Sequence, residues 1–389
     1  MTGRESYLAL NLLPGIGPVR VRRLLEVFGT PAAILSGSRD QLRRVDGIGN
    51  ELAGVISSWR DTLDLDEELG LIRDRGVEVL SMADEDYPEP LRQIYDPPLV
   101  LYVWGKLDRA DRVAVGVVGS RRATHYGIQC ARRLSFQLAS AGVTVLSGLA
   151  RGIDTAAHEG ALAAKGRTVA VLGSGLAKLY PAENQVLAER IAGPGNGAVV
   201  SEFPMRYPPD RQSFPMRNRI VSGWSSGLLV VEAPARSGAL ITADMAMEQG
   251  RNVYAVPGQI DRPASEGTNR LIQQGAKLVL GAEDILDEMG VFDFVRKIAE
   301  PGGAIQEESG DSGGDGPSVE SRKAGDTGGA GLSEDERALL STLGDEEWGI
   351  EELIDRSGLA ASAVSAALMR LELRRLVRQL PGKKFLKRV

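Results

Sequence analysis

From residue 111 onward the chain repeats one unit: a short, continuously apolar run, a turn containing glycine or serine, and a stretch of helical period. VAVGVVGS precedes THYGIQCARRLSFQLASAG, VTVLSGLARG precedes IDTAAHEGALAAKG, and RTVAVLGSG precedes ENQVLAERIAG. GAVVSEFP, SGLLVVEAPARSG with ALITADMAMEQG, NVYAVPGQ and AKLVLGAED follow. Strands that are apolar throughout must be covered on both faces, which predicts a parallel sheet between two helical layers. The unit therefore specifies a doubly wound α/β domain, with ligands beyond the strand C-termini at a topological switch point.

Parallel strands bring their following loops to one edge. Those loops are GSRRATHYG (119–127), SGLARGID (147–154), GSGLAKLYP (173–181), SEFP with FPMRNRIVSG (201–223) and ARSGALITA (235–243). They carry Arg121, Arg122, Arg151, Lys178, Arg217, Arg219 and Arg236, together with turns that expose backbone amides. Amides and guanidinium groups at one edge suit a phosphate-rich ligand. GVVGSRR lacks the later glycines of G-x-G-x-x-G, and no G-x-x-x-x-G-K-[ST] occurs, so NAD and ATP fit poorly. Arg217 and Arg219 flank Asn218 and, in an irregular helix start, would converge on successive phosphates; an ion pair is the other reading of Arg219. Tyr180, Phe203 and Phe214 are the nearby aromatics, either stacking surfaces for unpaired bases or core residues.

Catalytic and metal chemistry find little support. The single cysteine, Cys130, excludes an internal disulfide, and the two histidines, His125 and His158, cannot build a zinc site alone. Asp154 and His158 share a helical face, readable as an acid–base pair or as a first-turn carboxylate beside a packed histidine. Glu202 and Glu232 end strands, where they would orient the arginines of the RNR run. No catalytic residue, metal or cofactor is assigned. No stretch is apolar enough to span a membrane, and the expectation is a soluble, cytoplasmic protein.

The flanks differ in composition. Residues 1–75 hold two similar stretches, LPGIGPVRVRRLLEVFG (13–29) and VDGIGNELAGVISSW (45–59), each a G-I-G turn before a helix. They read as paired helix–hairpin–helix motifs holding a DNA phosphate, or as a helical hairpin that only packs. Residues 299–331 are Gly, Ser and acidic, and predict a disordered linker. Residues 332–389 give three helical patterns and QLPGKKFLKRV, the layout of a winged helix-turn-helix. Net charge is −6, yet residues 111–288 hold 19 Lys/Arg against 16 Asp/Glu, so the basic field is local.

The motifs YPEPLRQIYDPPLVLYVWG (87–105), VVGSRRATHYG (117–127), SGLARGIDTAAHEGAL (147–162), VLGSGLAKLYPAEN (171–184), FPMRNRIVSG (214–223), SGALITADMAMEQGR (237–251) and GTNRLIQQGAKLV (267–279) together resemble the DNA-processing protein A family, DprA/Smf. The resemblance implies an α/β fold: an extended Rossmann-like doubly wound parallel sheet over residues 76–298, with an N-terminal helix–hairpin–helix (SAM-like) domain and a C-terminal winged helix. It implies a non-enzymatic recombination mediator that binds and protects incoming single-stranded DNA, and duplex DNA more weakly. It further implies loading of the recombinase RecA during natural transformation, and a homodimer. The residues it places at the strand are Gly119, Ser120, Arg121, Arg122, Ser147, Gly148, Lys178, Arg217, Asn218, Arg219, Ser237 and Thr242, with Tyr180 and Phe214 for base stacking. Leu271 and Ile272 would lie near the dimer contact.

Two other readings stay open. One is an enzyme akin to nucleoside-monophosphate phosphoribohydrolases, although ARSGALITADMAM offers no early glutamate after Gly238. The other is a winged-helix regulator. Its recognition helix offers only Ser362 and Ser365 near its start, which disfavours base readout, while Arg374, Arg375, Arg378, Lys383, Lys384, Lys387 and Arg388 would suit phosphates.

Overall fold

The computed structural model describes residues 1–289, 333–343, 348–359, 376–380 and 384–387, and positions 364, 367, 368, 370 and 371. The expected linker (299–331), and Ser362, Ser365, Arg374, Arg375, Lys383 and Arg388, lie outside the described residues. The chain divides into two compact units, Met1–Val291 and Phe292–Val389.

In the first unit, seven helices precede the first strand: α1 (Gly3–Leu12), α2 (Pro18–Phe28), α3 (Pro31–Ser36), α4 (Arg39–Leu42), α5 (Asn50–Ser57), α6 (Trp59–Thr62) and α7 (Leu65–Asp74). Both G-I-G turns are present. Gly15 and Gly47 adopt φ of +75° and +79°, Ile16 and Ile48 are buried, and Gly17 and Gly49 are the N-caps of α2 and α5. Glycine is required at the left-handed positions because a Cβ is disfavoured there.

Then follow β1 (Glu78–Ser81), α8 (Glu89–Arg92), β2 (Val100–Gly105), β3 (Ala114–Val118), α9 (His125–Ser140), β4 (Thr144–Ser147), α10 (Ile153–Ala163), β5 (Thr168–Val171), α11 (Gln185–Ile191) and β6 (Gly197–Ser201). After them come α12 (Ser213–Trp224), β7 (Gly227–Val230), α13 (Gly238–Glu248), β8 (Asn252–Ala255), α14 (Glu266–Gln273), β9 (Lys277–Leu278) and α15 (Glu283–Glu288). The nine strands run in the order β1-β2-β6-β5-β4-β3-β7-β8-β9. From β6 to β9 every pairing is parallel, while β1 and β2 add an antiparallel edge. The chain leaves β3 toward β4, β5 and β6, then returns through α12 to β7 on β3's other side. The switch point is thus at the β3 and β7 C-termini.

Alternate residues of each strand face opposite layers, as the pleat requires. Val100 and Tyr102 of β2, Ala170 beside Leu172, and Val199 join one core with the N-terminal helices. Leu101, Val103, Val169, Val171, Ala198 and Val200 join the other, with α12 and α13. The N-terminal helices therefore share a hydrophobic core with the sheet. Among the described residues, no helix is long and apolar enough to cross a membrane.

In the second unit, helices Glu334–Leu343 and Ile350–Ser357 accompany a three-stranded sheet of β10 (Trp348–Gly349), β12 (Lys384–Lys387) and β11 (Val377–Leu380), in that order. Val364, Ala367, Leu368 and Leu371 are helical and buried with Leu339, Leu353 and Phe385. Their i, i+3, i+4, i+7 spacing is one face of a helix, so this is the winged-helix layout. Lys387 is exposed.

Candidate functional site

The switch point gathers the loops after β3, β4, β5 and β7. After β3, Ser120 donates its amide to Glu232 O (2.7 Å) and accepts from the Ile153 amide (3.2 Å), while its hydroxyl accepts from the Arg122 amide (3.1 Å). Gly119 has no room for a side chain: a Cβ would lie 2.5 Å from Ile153 Cγ1. Gly119 and Ser120 thus build a rigid turn, and Arg121 and Arg122 project from it, exposed and, among the described residues, outside any ion pair.

Arg121 does not stand alone. Its guanidinium lies 4.8 Å from the centre of the half-buried Phe214 ring, and Phe214 meets Tyr180 with ring centroids 5.9 Å apart and planes tilted by 51°. Gly173 lets Phe214 settle on the β5 loop, because a Cβ there would be 2.9 Å from Phe214 Cδ1. Tyr180 is 39% exposed, and Lys178 is exposed with no ion pair. Phe203, the third aromatic considered, is instead buried and stacked on Tyr207.

Asp154 organises the β4 loop. Buried at the start of α10, its Oδ2 accepts the amides of Gly148 (3.1 Å) and Ala150 (3.2 Å). Opposite it, Arg217 Nη1 donates to Gly148 O (2.6 Å) and to Val171 O, while Nε donates to Asn218 Oδ1 (3.1 Å). Burial presses the Arg217 guanidinium down to about 10, with Asp154 opposing and Arg121 adding to the shift. Burial likewise raises Asp154, against the pull of Arg217 and its two amide donors. Among the described residues, the amides of Arg121, Leu149, Arg151, Gly173 and Ser174 donate to no protein group. Leu149, Gly173 and Ser174 are buried, and buried amides without acceptors are rare unless water or a ligand meets them.

Several expected site residues have other duties. The Ser147 hydroxyl is buried and donates to Val117 O (2.6 Å), and the Gly148 amide is held by Asp154, so neither of these donors faces a ligand. The RNR run does not converge. α12 is already helical at Ser213, and residues two apart on a helix point about 200° from each other. Arg217 therefore enters the strand ends, while Arg219 is buried against Glu202 (2.6 Å) and Asp96 (2.9 Å). Burial opposes its charge, and the two carboxylates outweigh that. Asn218 lies between them with its Nδ2 uncommitted.

Arg151 is paired with Glu183 through two hydrogen bonds. Thr242 is buried inside α13 and donates to Gly238 O (3.2 Å). Ser237 caps α13 and, with Arg236, Arg270 and Leu271, lines a separate cleft of about 440 Å³. Leu271 is 4% exposed and belongs to the core, with Ile272 half-buried against it. Large apolar side chains exposed on α13 and at β9 are Ile241, Met247 and Leu278.

The carboxylates are also occupied. Glu232 accepts the Thr124 amide (3.0 Å) and hydroxyl (3.1 Å), fixing the start of α9 instead of an arginine. Glu202 does hold Arg219, as expected. No hydrogen bond joins the His158 and Asp154 side chains; His158 Nδ1 meets Thr168 Oγ1 at 2.7 Å, fully buried. Among the described residues, no group of three or more His, Cys, Asp or Glu could hold a metal ion.

The edge is therefore cationic, aromatic and amide-rich, with Asp154, Glu202 and Glu232 turned inward and Glu183 paired with Arg151. The strand order β5-β4-β3-β7-β8-β9 is that of a dinucleotide-binding Rossmann sheet, extended by β6 and by the antiparallel pair β2 and β1. The fold and site define a Rossmann-type protein with a switch-point cleft suited to phosphate, bearing helix–hairpin–helix turns and a winged helix. The family described as DNA recombination-mediator protein A matches residues 78–290, the DprA winged helix domain matches 324–383, and a SAM-like helix-hairpin-helix tandem matches 7–57. Protein Smf of Synechocystis is 34% identical over 98% of both chains. DNA processing protein DprA of Bacillus subtilis is 42% identical over 67% of this chain and 85% of its own. The X-ray structure of DprA from Streptococcus pneumoniae superposes with a TM-score of 0.65 at 35% identity, covering 74% of this chain and 98% of that one. The chain belongs to the DNA recombination-mediator protein A family, DprA/Smf.

Proposed function

We propose that this protein is a sequence-indifferent single-stranded-DNA-binding mediator. It takes the strand along the C-terminal edge of β3, β4 and β5, shields it, and hands it to RecA, in cells that take up DNA. The observation that carries the reading is the row Arg121–Phe214–Tyr180 beside Lys178. Exposed cations hold phosphates, and sequence-tolerant stacking surfaces hold unpaired bases. In this reading Gly119 and Ser120 shape the seat, Arg121, Arg122 and Lys178 meet phosphates, Asn218 adds an amide donor, and Arg217 braces the floor. A homodimer would set two such edges on one strand. Asp154 and Glu232 are buried and engaged, which supports binding without hydrolysis, because acid–base chemistry needs a carboxylate that reaches substrate.

The test is binding of the purified protein to oligo-dT and to a matched duplex across a salt series, followed by RecA loading. Salt-sensitive, strand-preferring binding is expected. Equal binding to both forms, or none, overturns the reading and directs attention to nucleoside-monophosphate hydrolysis.

A further inference from the structure

The loop that presents Lys178 and Tyr180 is held by the segment after β6. Gly175 donates its amide to Tyr207 O (2.9 Å), and Ala177 donates to Met205 O (2.8 Å). The fit is close enough that a Cβ on Gly175 would lie 2.0 Å from Pro204 O and 2.3 Å from Met205 O. The loop therefore cannot move without Met205, which is fully buried.

Met205 is in turn fixed by a residue of the N-terminal helices. Glu68 of α7 is 8% exposed, and its Oε1 accepts both the Met205 amide (2.7 Å) and the Tyr102 hydroxyl (2.8 Å). Among the described residues Glu68 makes no ion pair; the neighbouring Arg206 binds Glu67 instead. A buried carboxylate without a cation is expensive to desolvate, and an apolar side chain would strand two buried donors. What Glu68 supplies beyond packing is a fixed position for one peptide group.

We propose that Glu68 is a positioning residue for the single-strand cleft. It holds the Met205 peptide, and the Met205 O–Ala177 N bond then sets where Lys178 and Tyr180 stand at the sheet edge. The N-terminal helices thereby tune strand binding without touching DNA. This inference rests on the cleft reading above, and its test separates the two.

Oligo-dT binding is measured for the full chain carrying Glu68→Asp, Glu68→Gln, Lys178→Ala, and Glu68→Asp with Lys178→Ala, alongside amide exchange. Glu68→Asp, too short to serve both donors, is expected to weaken binding about fivefold to tenfold, the size of one lost charge-assisted contact. Glu68→Gln keeps the acceptor and restores affinity to within about twofold, as loss of charge alone should cost little here. The double variant loses less affinity than the two single losses combined, the remaining loss being that of Tyr180, because coupled residues are non-additive. Exchange quickens at Ala177 and Met205 and is unchanged at Val115 and Leu228 in the sheet centre.

Additive losses with unchanged Ala177 exchange overturn the role of Glu68 and leave the cleft standing. Wild-type affinity in Lys178→Ala overturns the cleft assignment, and the exchange rates still decide whether Glu68 holds the loop. If Glu68→Asp does not fold, Ala177→Pro removes the other end of the linkage on a half-buried loop. It must reproduce the same loss of affinity, and wild-type binding by it overturns the proposal.

Discussion

The guanidinium of Arg121 stands over the face of Phe214, 4.8 Å from its ring centre, although the two residues are 93 positions apart in the chain and on different elements. A cation held on a ring face is restrained without being neutralised, so Arg121 keeps its charge for a ligand. Its replacement by alanine is expected to lower oligo-dT affinity and to flatten the salt slope by about 0.7, the single-strand value for one phosphate contact. Phe214→Leu is expected to lower affinity by about 1–3 kcal/mol with the salt slope unchanged, since stacking releases no counterion. Salt titrations of the two variants separate these terms, and a flattened slope in Phe214→Leu would contradict the division of labour.

Arg217 and Arg219 should behave differently from Arg121. Arg219→Ala leaves the buried Glu202 carboxylate beside Asp96 without its cation, and such uncompensated charges cost about 3–5 kcal/mol. Arg217→Ala strips donors from Gly148 O and Val171 O, at about 1–3 kcal/mol for each carbonyl left bare. Both variants are expected to lose urea stability. Arg219→Ala, where it remains folded, should retain the wild-type salt slope, and a slope lowered by a full contact would place Arg219 on the strand after all.

Gly127 tests the cap at the start of α9. A Cβ at this position would lie 1.8 Å from Glu232 Oε2, the oxygen that accepts the Thr124 amide and hydroxyl. Gly127→Ala must push that carboxylate away and release the cap, at about 1–3 kcal/mol for the overpacking. Thermal unfolding reads the loss. Glu232→Gln, which keeps an acceptor in the same place, should lose less than Gly127→Ala.

The strand–turn–helix units were legible because fully apolar strands and helical stretches differ in period, and the turns mark each boundary. The gathering of Arg121, Lys178 and Phe214 at one sheet edge was legible because loops after parallel strands must share an edge. The fate of the RNR run was not. It depends on α12 starting at Ser213, four residues before Arg217, and no capping side chain marks that start. Nor was the sharing of one core by the N-terminal helices and the sheet, in which Val100 and Tyr102 of β2 join those helices, or the antiparallel pairing of β2 with β6. A strand's local composition carries no sign of its direction.

His158 gives the protein a stability term that depends on pH. The ring is fully buried on α10, and Thr168 donates its own hydroxyl to Val145 O (2.7 Å), so Nδ1 must be the donor to Thr168 and Nε2 is left bare and deprotonated. Burial first, then the positive charge of Arg217, pushes its pKa from 6.5 down to about 3. The unfolded chain therefore binds a proton below pH 6.5 that the folded chain refuses until about pH 3. Stability from this group is complete above pH 6.5 and is lost as pH falls toward 3, at up to about 1.4 kcal/mol per pH unit. His158→Leu keeps the volume and removes the titration. Urea midpoints measured from pH 7.5 to pH 4.5 should fall more steeply for the wild type than for His158→Leu, and parallel curves would mean that the ring is protonated in the folded protein.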